Sequence, residues 1–103
     1  MEGLEKTIFQ IISHVGTAKS KYVEALDSSK KANFKQAEAL IKEGDGFLIA
    51  GHKIHSKLVQ NEAAGEGDPP SLLLVHAEDQ FMSAETVKLL VKELIEVYKK
   101  LSG

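Results

Sequence analysis

The sequence contains no cysteine, no tryptophan and only two prolines, adjacent at Pro69 and Pro70. Without a thiol there is no disulfide framework, no thiolate metal site and no cysteine nucleophile. Runs of β-branched or aromatic residues in period-two alternation are also missing, which leaves strands little to form from. Lys and Arg number 13 against 15 Asp and Glu, a net charge of -2, so there is no basic field to hold a nucleic-acid backbone. No apolar run approaches the roughly 20 residues that cross a bilayer, and Met1-Glu2-Gly3-Leu4-Glu5-Lys6 lacks the basic-then-apolar pattern of a secretion signal. The expectation is a single soluble, cytoplasmic domain over residues 1–103, with no nucleic-acid partner and no direct membrane insertion.

What the chain does have is helical periodicity. Leu4, Ile8, Ile11, Ile12, Val15, Tyr22, Ala25 and Leu26 recur at three-and-four spacing and predict a first helix over about 3–28, ended by the polar Asp27-Ser28-Ser29-Lys30-Lys31. Asn33 with Gln36 resembles a capping pair that opens a second helix over about 33–64. Gly44, Gly46 and Gly51 interrupt that helix, as residues tolerated by packing or as points of bending or close approach. Gly65-Glu66-Gly67-Asp68-Pro69-Pro70 is a loop, and a third helix follows over about 71–101. Its first turns are apolar nearly all round, more than two neighbouring helices can cover, so an oligomer is expected. The fold class is all-α, an antiparallel three-helix bundle.

Four apolar residues precede His76, and burying an unpaired polar group there would cost about 1–3 kcal/mol. Asp79, Gln80 and Ser83 share its side of the helix, whereas Glu78 points to the opposite side. Spacing leaves three readings open: a core histidine bonded to Gln80 or Asp79, a reactive imidazole, or a metal ligand. His52 and His55 stand one turn apart, a weak metal signal without further ligands, and His14 reads as a histidine without a role. No nucleotide-binding glycine loop or serine elbow is present, and Gly65-Glu66-Gly67 is too short and acidic to cradle phosphate.

The string Leu73-Leu74-Val75-His76-Ala77-Glu78-Asp79-Gln80-Phe81-Met82 resembles the Leu-Val-His-Ala-Gln-Asp-His-Leu-Met signature of lactose/cellobiose-type IIA components of the phosphoenolpyruvate-dependent sugar phosphotransferase system. The stretch from His52 to Glu66 is similar to a second segment of that family, in the same order and ahead of the same loop. The resemblance implies that His76 is the catalytic residue, taking a phosphoryl group from the histidine-containing phosphocarrier protein and passing it to a cognate IIB component. With His76 placed at a groove between subunits, Gln80, and His52 or Ser83, are candidate donors to the phosphoryl oxygens. It further implies a homotrimer in which three copies of Asp79 share a divalent cation, magnesium or manganese.

Three positions depart from the family pattern: Glu78 and His55 each stand where glutamine is usual, and Gln80 where a second histidine is usual. Two rival readings follow from other classes. One is a non-catalytic helical interaction module that has lost phosphotransfer. The other is a histidine-phosphotransfer domain of a two-component relay, although that fold needs a four-helix core and this chain offers three helices.

Overall fold

The computed structural model describes residues 2–103 as three helices: α1, Glu2–Lys30; α2, Phe34–Ala63; and α3, Leu72–Ser102. Residue 1 of the expected domain lies outside the described residues. No strand occurs among the described residues, and no helix is long and apolar enough to cross a membrane. The chain is a rod of 54 × 20 × 19 Å.

Cross-helix contacts fix the topology as up, down, up. Tyr22 lies against Gly44 and meets Asp45, whereas Val15, earlier in α1, lies against Gly51, so α1 and α2 run antiparallel. His55 meets Glu78, Asp45 meets Lys88 and Glu38 meets Lys99, so α2 and α3 also run antiparallel. The apolar face anticipated for α1 forms the core: Ile8, Ile11 and Val15 pack with Ala77, Phe81 and Ala84 of α3 in one half of the rod. Ala18, Tyr22 and Ala25 pack with Ala37, Leu40, Val91 and Ile95 in the other. Both partners lie along α1, while α2 and α3 approach each other along a narrow seam.

Helix α2 runs unbroken through its three glycines, two of which mark close approach. A Cβ on Gly44 would stand 2.7 Å from the Tyr22 ring, and one on Gly51 would stand 2.9 Å from Val15 Cγ1. At Gly46 a Cβ would meet nothing within 4 Å, so that glycine is tolerated rather than required.

Helix α1 runs past the expected end near Ser28 to Lys30, because Ser28 and Ser29 are buried and the Ser29 hydroxyl donates to the Ala25 carbonyl at 3.1 Å. The polar run that reads as a break is therefore its last packed turn. Both the α1 and α2 ends close by the same device. Asn33 N–H donates to Ser28 O and Ala32 N–H to Ser29 O; Glu66 N–H donates to Asn61 O and Gly65 N–H to Glu62 O. These are Schellman motifs, whose penultimate residue must enter the left-handed region. Gly65 does so at φ 78°, and Ala32 at φ 61° despite its Cβ. Asn33 occupies the cap position of α2, but its side chain makes no capping hydrogen bond, so the anticipated Asn33 and Gln36 capping pair does not form.

Candidate functional site

Helix α3 starts where the Pro69-Pro70 loop ends. The Ser71 hydroxyl accepts from Leu74 N–H at 3.1 Å and satisfies one otherwise orphaned amide of the first turn. His76 follows one turn later, with an exposed imidazole. The core-histidine reading is thereby overturned. The four apolar residues before His76 do not imply burial, because Leu72 and Val75 of that run are themselves 86% and 56% exposed.

The reason lies in how α3 is rotated. Ala77, Phe81 and Ala84 face α1, and Glu78 faces α2. At about 100° per residue, His76 lies roughly 160° around the axis from Glu78, turned away from α2. Gln80 and Ser83 lie on the same side of α3 as His76 and are half-buried along the edge of α1. There Lys19 of α1 donates through Nζ to Ser83 Oγ at 3.1 Å. His76, Gln80 and Ser83 therefore form one column, and a cation stands about two turns above His76, a rise of roughly 10 Å. Lys19 was not singled out in the sequence; it becomes visible only when the parallel register of α1 and α3 is known.

Asp79 is exposed and makes no ion pair or hydrogen bond with His76 among the described residues. It stands between Val75 and Met82 on an outward stripe of α3 that continues through Leu89, Leu90, Leu94, Val97 and Leu101, all exposed. Within one chain it has no co-ligands: no group of three or more His, Asp or Glu suited to a metal occurs among the described residues.

His52 lies elsewhere. Its ring meets the edge of Phe81 at a centroid distance of 5.7 Å, and its Nε2 is 3.4 Å from Ser56 Oγ. Phe81 lies about 140° around α3 from His76, so a single chain does not bring His52 and His76 together. His55 packs on the same ring at 4.7 Å and approaches both carboxylate oxygens of Glu78 at 2.7 Å. The two histidines of α2 are thus held by Phe81 and Glu78 rather than converging on a metal. His14 Nδ1 donates to Gln10 O at 2.7 Å, a local contact apart from this region.

Known proteins share this fold and sequence pattern. The family model described as "PTS system, Lactose/Cellobiose specific IIA subunit" matches residues 6–99. The lichenan-specific phosphotransferase enzyme IIA component of Bacillus subtilis is 39% identical over 98% of this chain and 92% of its own length. The crystal structure of the cellobiose-specific enzyme IIA from Bacillus anthracis superposes with a TM-score of 0.91 at 37% identity, covering 94% of this chain and 89% of that one. The IIA(chitobiose) subunit solved in complex with HPr, from the N,N'-diacetylchitobiose branch of the Escherichia coli phosphotransferase system, superposes with a TM-score of 0.85 at 31% identity and 97% coverage of both chains. With matching helices, matching length and the signature histidine on α3, the chain belongs to the lactose/cellobiose-specific IIA family of the sugar phosphotransferase system.

Proposed function

We propose that His76 is the residue on which this phosphotransferase component carries phosphate. The chain is a phosphoryl carrier in sugar uptake. The observation that supports His76 as its acceptor is the exposed position of that imidazole at the head of the Gln80 and Ser83 column. A neutral imidazole nitrogen attacks the phosphorus of a phosphohistidine in line; a new N–P bond forms as the donor's N–P bond breaks. Transfer of this kind asks mainly for positioning and charge neutralisation. Gln80, one turn along the helix, donates to the phosphoryl oxygens, and Ser83 holds Lys19, which contributes positive potential from the end of the column.

The donor is the histidine-containing phosphocarrier protein, the kind of partner with which the Escherichia coli chitobiose IIA subunit was solved. The acceptor is a cysteine of a cognate IIB component, and the cargo is a β-linked sugar of the lactose and cellobiose type. These exchanges take place in the cytoplasm.

The apolar outward stripe of α3 supports a homotrimer, in which the stripe is covered by the same stripe of two other copies. Such packing would also bring His52 of one subunit towards His76 of another, the only way those two residues can share a site. Asp79 lies within the stripe, so a trimer gathers three carboxylates near its axis. Their oxygen donors fit a hard divalent cation, magnesium or manganese, which would offset the repulsion among them.

Incubation with phosphoenolpyruvate, the first enzyme of the system and the phosphocarrier, followed by mass spectrometry, tests the assignment. The parent gains one acid-labile phosphate and His76→Ala gains none, with unchanged helicity because alanine is a good helix former. Label on His14, His52 or His55 would refute the assignment; no label at all in the parent would leave the interaction-module reading in its place.

A further inference from the structure

We propose that Glu78 and His55 are a positioning pair for transfer at His76: their bond sets the rotation of the α3 segment that carries the imidazole. The inference rests on the reading of His76 as the phosphoryl acceptor. Residues 64–71 leading into α3 are exposed throughout, and their hydrogen bonds to the helix come from Ser71, through its hydroxyl to Leu74 N–H and its carbonyl to Val75 N–H. Against α1, the segment packs through Ala77, Phe81 and Ala84, with Leu73 and Leu74 partly buried beside them. These contacts are apolar, and the one polar contact described on that side, Lys19 with Ser83, lies about two turns beyond His76.

Against α2 the contact is directional. An ionised carboxylate only accepts, so His55 Nε2 carries the proton and donates to both Oε1 and Oε2 of Glu78, each 2.7 Å away. The His55 ring is held in turn by the Phe81 edge, with an interplanar angle of 66°. The imidazole side of the bond is the more sheltered: the His55 side chain is 19% exposed and that of Glu78 42%.

Glu78 acts on His76 through rigid geometry. The two residues share one helical turn and project to opposite sides, so a rotation that swings Glu78 away from His55 swings the imidazole by the same angle. With side-chain tips about 6 Å from the helix axis, a 10° turn moves the imidazole by about 1 Å. A displacement of that size suffices to cost an in-line transfer up to about a hundredfold in rate.

The test is a set of variants in the purified full-length chain, assayed by single-turnover phosphorylation from the phosphocarrier with helicity and melting measured in parallel. Glu78→Ala and His55→Ala each lower kcat about tenfold at unchanged KM for the phosphocarrier. The double variant is no slower than either single one, and Glu78→Gln retains at least half the parent rate because its amide oxygen still accepts from His55. The imidazole resonances of His76 shift in both alanine variants although neither residue touches it. Parent-like rates in the single variants, a loss confined to KM, additive losses in the double variant, or a rate loss that merely follows loss of helicity would each overturn the proposal. A parent that is never labelled on His76 would instead overturn the functional reading, and the pair with it.

Discussion

The Tyr22 hydroxyl donates to Asp45 Oδ1 at 2.7 Å, joining the buried centre of α1 to α2. Lys88 of α3 meets the same carboxylate oxygen at 2.8 Å, so one carboxylate ties all three helices. Burial and the Asp45 contact push the Tyr22 phenol well above its usual range, so it remains a donor throughout the neutral range. Burial pushes the Asp45 carboxyl upward, but the hydrogen bonds from Lys88 and Tyr22 and the charges of Lys88 and Lys92 outweigh it. Its pKa therefore lies below the ordinary 3.8.

Asp45→Asn should therefore lower stability at neutral pH by about 1 kcal/mol, the scale of one charged hydrogen bond at a partly exposed site. A depressed folded pKa stabilises above the unfolded value near 3.8, and that contribution disappears as pH falls through the lower folded value. Melting curves of parent and variant should be separated at pH 7 and converge below about pH 4. A gap that persists at low pH would mean that Asp45 acts through shape rather than charge.

Ala32 and Gly65 occupy the same position in two Schellman motifs, yet only Gly65 has the residue suited to a positive φ. The left-handed region costs a residue with a Cβ about 1–2 kcal/mol, part of which glycine returns through its larger unfolded-state entropy. Ala32→Gly should raise the melting temperature by a few degrees, corresponding to roughly 0.5–1 kcal/mol, and Gly65→Ala should lower it by a similar amount. Thermal melts followed by circular dichroism would decide both signs.

The contrast between these two turns shows how much could be read from residues alone. Gly65, Pro69 and Pro70 announce their loop because each has backbone preferences that only a break satisfies. The α1 helix extends two residues beyond the end its pattern suggests, since Ser28-Ser29-Lys30 looks polar in sequence while Ser29 is buried and bonds back to Ala25. The string around His76 makes it stand out in the sequence, but its exposure does not show there: periodicity marks α3 as apolar without saying which side meets α1. The Glu78 and His55 bond, the Lys19 contact with Ser83 and the separation of His52 from His76 all depend on interhelical register. Sequence spacing, which is local, carries no such information.

The three glycines of α2 should separate by environment. Gly46→Ala should stabilise by up to about 1 kcal/mol, because its Cβ meets open space and alanine is the better helix former. Gly44→Ala drives a Cβ to 2.7 Å from the fully buried Tyr22 ring, and the ring cannot retreat without disturbing its bond to Asp45. Overpacking of this kind costs about 1–3 kcal/mol. Denaturant midpoints that moved in the same direction for both variants would show that propensity, not packing, governs the helix.

The final prediction concerns Asp79, an exposed carboxylate set between Val75 and Met82 on the largely apolar outer stripe of α3. If three copies meet at a trimer axis, the assembly contains a desolvation and repulsion cost that a shared divalent cation offsets. Asp79→Leu removes the cost and the need for the cation together, because apolar groups of similar volume pack where charges had to be neutralised. Chelation of the parent removes only the cation and leaves the charges facing one another. Sedimentation velocity at low micromolar concentration should find Asp79→Leu trimeric with or without chelator, and the parent dissociating when chelator is added. Leu90→Lys, which sets three cations into the same stripe, should give monomers in either condition. A parent trimer indifferent to chelator would remove the axial cation, and a monomeric parent would remove the trimer, because the stripe of Val75, Met82, Leu90 and Val97 would then face water by design.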